Sequence, residues 1–232
     1  MGSGASFFGG SSTGQRFLFV IDHSGSMRKN QVELRDKELE RALKSLKGVQ
    51  YQVLLFAGGA YYASKGWSLS SRGNQANTVK GPKGDWEFVS VGGAGNFDYK
   101  GAAEKLPKAD WLASTPSNVK KTMDFIKGER LFYGTDWGLA LDIAHRMEPA
   151  PDVIFFMADG TGGNSPPPIL AINSKFGRPP INTVAMQTTQ GIQQFAEIAK
   201  KTKGSFTIVD RNGKPIDGFD YLKNPGKFNG RL

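Results

Sequence analysis

Short unbroken apolar runs alternate along this chain with stretches whose apolar positions recur every three or four residues. Phe17–Ile21 is the first such run, and its continuity predicts a strand covered on both faces. Leu39, Ala42, Leu43 and Leu46 then fall on one stripe, predicting a helix that Gly48 stops. Tyr51–Phe56 predicts a second strand, ending at Gly58-Gly59. Thr115-Pro116 is an N-cap and N1 pair, and Val119, Met123 and Ile126 share one face of the helix behind it. Gly134-Thr135-Asp136 opens another helix, with Trp137, Ala140, Leu141 and Ala144 inward and Pro149 and Pro151 beyond its end. Val153–Met157 is the strongest buried strand and runs into Asp159, while Pro166–Pro168 reads as a stiff loop. Ile181–Ala185 reads as a strand, Ile192, Phe195, Ala196 and Ala199 as a helix face, and Ser205–Val209 as a last strand before an Asn212-Gly213 turn. Strand and helix alternating in this way predict an α/β fold: an open, mostly parallel, doubly wound (Rossmann-like) sheet flanked by helices.

Two regions break the pattern. Residues 1–15 are rich in Gly and Ser and read as a flexible leader. Residues 58–110 are rich in Gly, Ser, Asn and aromatics, with one plausible strand at Trp86–Val91. A structureless loop of that length is unusual, so an insert with its own local structure is expected, its aromatics (Tyr61, Tyr62, Trp67, Trp86, with Trp111 beside it) forming a small core. The organisation is thus a leader over 1–15 and a single domain over 16–232 carrying the 58–110 insert.

The 232 residues carry 30 basic and 21 acidic side chains, a net charge of +9, and no cysteine. Disulfide scaffolds, Cys-ligated zinc, iron–sulfur clusters and thiol nucleophiles are therefore excluded. No apolar run is long enough to span a bilayer. The surplus charge lies outside residues 128–195, which hold four basic and six acidic side chains. A basic surface favours anionic partners, yet zinc-finger, basic-heptad and RNA-binding strand patterns are all missing, so specific nucleic-acid binding is not expected. Acid–lysine pairs four apart, such as Glu33–Lys37 and Glu40–Lys44, read as solvated helix faces.

Three polar clusters stand where strands end or helices begin: Asp22-His23-Ser24-Gly25-Ser26, the helix-opening Thr135, and Asp159-Gly160-Thr161. In a doubly wound sheet, ligands bind outside the carboxyl ends of the strands, where both acid-bearing loops would lie. The D-x-S-x-S spacing lets Asp22, Ser24 and Ser26 converge across a tight turn that Gly25 permits. Two carboxylates and three hydroxyls make a hard-oxygen set, suited to one divalent cation: Mg²⁺ first, Mn²⁺ or Ca²⁺ next. Each residue also has a plainer use. Asp22, Ser24 and Thr135 can act as helix N-caps, and Asp159-Gly160 as a turn. His23 is expected beside the site rather than as a ligand, and His145 at the surface or its boundary.

FVIDHSGSM resembles the first motif of the metal-ion-dependent adhesion site of von Willebrand factor A (VWA) domains. YGTDWGLAL and VIFFMADG are similar to its second, threonine-bearing and third, aspartate-bearing motifs, in the family's order. STPSNVKKTMDFI and INTVAMQTTQGIQQFAEIAKKTKGSFTIV are similar to bacterial VWA proteins, so the resemblance covers about residues 15–57 and 111–210. It implies Asp22, Ser24, Ser26, Thr135 and Asp159 as ligands of a divalent cation, some through water, and a protein partner whose Asp or Glu carboxylate fills the open position. It implies a binding module rather than an enzyme. Many bacterial relatives follow an N-terminal anchor, which suggests a cell-envelope or exported setting with any signal or anchor upstream. The long insert and the Gly162–Pro168 loop are individual to this chain. Two other functions compete. A Mg²⁺-dependent phosphohydrolase would use Asp22 as nucleophile, but Ser24 stands where its acid/base carboxylate belongs. A metal-independent scaffold would make its contacts through residues 58–110.

Overall fold

The continuous apolar runs become the centre of an eight-stranded sheet in the structure, a computed structural model that describes residues 3–92, 96–106, 108–160 and 166–232. Thr161 and residues 162–165, singled out from the sequence, lie outside the described residues. The chain opens with β1 (Ser3–Phe7), β2 (Gly10–Gly14), β3 (Arg16–Asp22), α1 (Lys29–Ser45), β4 (Gln50–Phe56) and β5 (Ala60–Tyr62). Four short strands follow: β6 (Ser68–Ser71), β7 (Ala76–Gly81), β8 (Gly84–Ser90) and β9 (Phe97–Tyr99). Then come β10 (Leu112–Ala113), α2 (Pro116–Gly128), α3 (Trp137–His145), β11 (Val153–Ala158) and α4 (Pro166–Lys175). The last elements are β12 (Ile181–Met186), α5 (Ile192–Thr202), β13 (Phe206–Val209), β14 (Pro215–Asp217) and α6 (Gly218–Lys223).

The main sheet runs β10-β4-β3-β11-β12-β13-β14, with β5 also paired to β4. Its five central strands are parallel, and antiparallel β5, β10 and β14 finish the edges. Every residue of β11 and β12 is buried, as unbroken apolar runs in a two-sided sheet require. Packed rings fill the layers beside it: Phe19 stacks on Phe155 at 5.2 Å, and Trp137 sits 4.3 Å from Phe195 and 5.2 Å from Phe156. The mostly parallel, helix-flanked α/β architecture is the one the sequence pattern predicts.

The first residues are not a loose leader. β1 and β2 form a hairpin whose two-residue turn, Phe8-Gly9, has φ of 46° and 82°, the left-handed pair of a type I′ turn. Phe7 is fully buried, its ring 5.6 Å from that of Phe19 and 6.0 Å from that of Phe155. The Phe8 amide donates to Glu38 at 2.6 Å and Asn182 donates to the Ser12 hydroxyl at 3.0 Å, fixing the hairpin to α1 and β12. Glycine and serine suggested a chain with nothing to bury; the two phenylalanines among them supply the anchor.

Pro166–Pro168 are likewise no loop. They form the first turn of α4, where a helix has no use for the missing N–H groups. His145 is fully buried rather than superficial: its Nδ1 lies 2.6 Å from the Leu141 carbonyl and its Nε2 3.1 Å from Asn173. Of the acid–lysine pairs read on α1, Glu40–Lys44 forms at 2.7 Å, whereas Glu33 faces Lys29 at 4.0 Å.

Strands β6 to β9 form a separate four-stranded antiparallel sheet within the 58–110 region. It holds its own small core of Trp67, Leu69, Val79, Phe88 and Phe97, and Trp67 packs edge-on against Tyr62 at 4.9 Å.

Candidate metal centre

β3 leads through α1 to β4 on one side, and β11 flanks it on the other. That reversal is the switch point at which such sheets place ligands. Met157 of β11 pairs with Ile21 of β3, so Asp22 and Asp159 leave the sheet as neighbours at its carboxyl edge. Asp22 is fully buried. Its Oδ1 accepts from the Ser24 amide at 2.8 Å, and its Oδ2 from the Asp159 amide at 3.2 Å. The Ser24 and Ser26 hydroxyls are 2.9 Å apart, and that of Ser26 donates to Asp159 Oδ1 at 3.2 Å. Asp22, Ser24, Ser26 and Asp159 are thereby drawn into one hydrogen-bonded cluster.

Thr135 lies half-buried on the neighbouring loop. Phe132 forms an isolated bridge with Ser24, its carbonyl accepting from Gly25 at 2.7 Å and its amide donating to His23 at 3.1 Å. The loop then turns through Gly134, whose φ is +95° and where a Cβ would stand 2.7 Å from Gly58 Cα. Only glycine permits that approach. Thr135 is three residues past the bridge, and among the described residues it makes no hydrogen bond to the other four.

The plainer uses of these residues are taken by others. Asp136, not Thr135, caps α3, its Oδ1 accepting from the Leu139 amide at 2.9 Å. α1 begins only at Lys29, where the Gln31 side chain accepts from the Arg28 amide at 2.8 Å. Asp22 and Ser24 therefore cap nothing.

Beneath the loop lies a residue that sequence reasoning passed over. Arg35 is 1% exposed, and its Nη1 donates to the Asp22 carbonyl at 3.1 Å and to His23 Nδ1 at 3.0 Å. Asp36 balances its charge at 2.8 Å. Arg35 thus ties the D-x-S-x-S loop to the helix that follows it. Burial, and then the Arg35 guanidinium, hold His23 down to about 3, so its ring is neutral and accepts at Nδ1. Such a ring packs beside the cluster and does not face it.

The electrostatics set the fit for a cation. Burial, and next the Asp159 carboxylate, push the Asp22 carboxyl up to about 7 against the hydrogen bonds from Ser24 and Asp159. A folded-state value raised above the unfolded one means that the fold binds that proton more tightly. Its contribution favours the fold at low pH and is lost as pH rises from about 4 to about 7. A cation between the carboxylates would offset both the burial and the repulsion. Among the described residues no three His, Cys, Asp or Glu side chains gather anywhere, so an ion here would rest on two carboxylates and the hydroxyls, a hard set.

No family model matches the sequence, and no curated protein matches it either. Solved structures do. A von Willebrand factor type A protein from Catenulispora acidiphila superposes with a TM-score of 0.53 at 13% identity, over 93% of this chain and 42% of that one. An aerotolerance-related membrane protein from Bacteroides fragilis gives 0.54 at 13% identity, over 92% of this chain and 98% of that one. Proximal thread matrix protein 1 from the mussel byssus, solved with a zinc-occupied MIDAS motif, gives 0.51 at 12% identity, over 92% and 46%. The chain spans less than half the length of the first and third of these. It has the VWA-like fold.

Proposed function

We propose that this VWA-like chain is a protein-binding module that ligates a partner's Asp or Glu carboxylate through one divalent cation held by Asp22, Ser24, Ser26, Thr135 and Asp159. The observation that carries the reading is the cluster itself: four of the five donors converge at the switch point, and neighbouring residues make the caps they could have made. Bound there, the ion would supply a Lewis-acidic position for a carboxylate oxygen. The oxygen-only donor set favours Mg²⁺, with Mn²⁺ or Ca²⁺ next. Binding is favoured over catalysis because both histidines are buried and engaged, His23 with Arg35 and His145 with Leu141 and Asn173. No helix among the described residues is long and apolar enough to cross a membrane, and the likeness to a membrane protein supports a cell-envelope setting.

Thermal melting in EDTA, then across Mg²⁺, Mn²⁺, Ca²⁺ and Zn²⁺ titrations, tests the site. At a hundredfold excess over Kd the ion should add about 2.7 kcal/mol, a rise on the order of 5–10 °C for a chain of this size. No shift with any of the four at millimolar levels would contradict the proposal.

The raised Asp22 carboxyl gives a second expectation. Below pH 7 the ion must displace a proton, so affinity should fall about tenfold per pH unit there and level off above pH 8. Calorimetry at pH 6 in two buffers of different ionisation enthalpy reads the released proton. An affinity that does not change from pH 5 to pH 8 would show that Asp22 is no ligand.

A further inference from the structure

Among the described residues, the large hydrophobic side chains left exposed are Val91, at 61%, and Tyr133, at 44%. A solitary exposed apolar residue needs no explanation, so the weight lies in where these two sit. Tyr133 belongs to the loop that carries Thr135. Its backbone is locked from both sides, by the Phe132 bridge to Ser24 and by the Gly58 amide donating to the Tyr133 carbonyl at 2.9 Å. The side chain is therefore held outward on a rigid support. Val91 follows β8, and the residue before it, Ser90, pairs with Phe97 of β9. The Phe97 ring stands where Cβ atoms on Gly58 and Gly134 would fall, 2.4 and 2.9 Å from them. Its amide donates to Asp136 at 3.1 Å. The insert is thus pinned onto the Thr135 loop at the point from which both exposed side chains project.

The surrounding charge is of one kind. Arg28 and Lys29 are exposed at the start of α1, and Arg130 is exposed over the Phe132 ring at 5.2 Å. Such an edge favours an acidic visitor.

We propose that Tyr133 and Val91 form an apolar rim beside the cation edge, and that it receives a segment of a partner protein in which an Asp or Glu is flanked by a large apolar side chain. The proposal rests on the cation reading above, and it gives the 58–110 insert a share in partner choice. A rigid exposed tyrosine next to a strong polar anchor has the composition of an interface hot spot.

The test uses a phage-displayed library of random dodecapeptides, selected on the full chain in Mg²⁺ and eluted with EDTA. The recovered peptides should share an acidic residue beside Leu, Ile, Phe or Met. They should bind a Tyr133→Ser, Val91→Ser double variant about tenfold or more weakly, while that variant keeps the wild-type Mg²⁺ melting shift. EDTA-sensitive peptides that bind the variant within about twofold of wild type would overturn the rim and leave the cation reading standing. Peptides that bind equally in EDTA and to Asp22→Ala would overturn the cation reading and this proposal together. No enrichment would also overturn the proposal. So would sedimentation showing a dimer that Tyr133→Ser dissolves, since the face would then belong to a second copy.

Discussion

Replacing Phe7 with alanine should destabilise the chain by about 3–5 kcal/mol, the usual cost of emptying a phenylalanine-sized site in a core. Phe7 is fully buried, between Phe8, Phe19 and Phe155, so its removal leaves a cavity over the two strands that carry the site. Urea unfolding should show a lower midpoint with an unchanged slope, and the melting temperature should fall on the order of 10 °C. A flexible leader would give no change at all. An unfolding midpoint equal to that of the wild type would return residues 1–15 to that status.

Asp159→Asn should invert its stability ranking with the cation. Asparagine keeps the acceptor that Ser26 uses but removes the negative charge that raises the Asp22 carboxyl. In EDTA at pH 8, where both carboxylates of the wild type are ionised, the variant should be more stable by about 1 kcal/mol. With Mg²⁺ at a hundredfold excess over the wild-type Kd, the wild type gains about 2.7 kcal/mol, and the variant should gain little of it. The variant is thus the more stable protein without the ion and the less stable one with it. A variant that is weaker in both conditions would mean that Asp159 is merely structural. One with the full Mg²⁺ gain would remove it from the donor set.

Strands and helices that bury a face against the main sheet were legible because their periodicity is long and clean. β3, β4 and β11 are unbroken apolar runs, and α2 announces itself through Thr115-Pro116, where the Thr115 side chain does accept from the Asn118 amide. Elements whose burial is carried by a few residues were not. In the hairpin two phenylalanines carry the burial and glycine and serine the composition. In α4 the three prolines of the first turn hide a helix that buries mainly Ile169 and Asn173. The polar support of the site was missed for a different reason. Arg35 and Gln31 lie four and eight residues before Leu39, on the same stripe, and both are buried. A polar residue on an apolar stripe is a signal, and Gln31 does reach the Met186 carbonyl at 3.0 Å. His145 follows the same rule, four residues beyond Leu141 on the buried side of α3. The candidate ligands were readable as an ordered motif. Their plainer use as caps could be weighed only once Asp136 and Arg28 were seen at the helix starts.

The most direct test counts ions. Free Mn²⁺ gives a sharp paramagnetic resonance signal that is lost on binding, so titrating the protein into Mn²⁺ reads stoichiometry and affinity without a partner. The expected result is about one saturable site per chain, competed by Mg²⁺ and lost in Asp22→Ala. No saturable binding up to millimolar Mn²⁺, or the same binding in Asp22→Ala, would contradict a cation held by Asp22, Ser24, Ser26, Thr135 and Asp159.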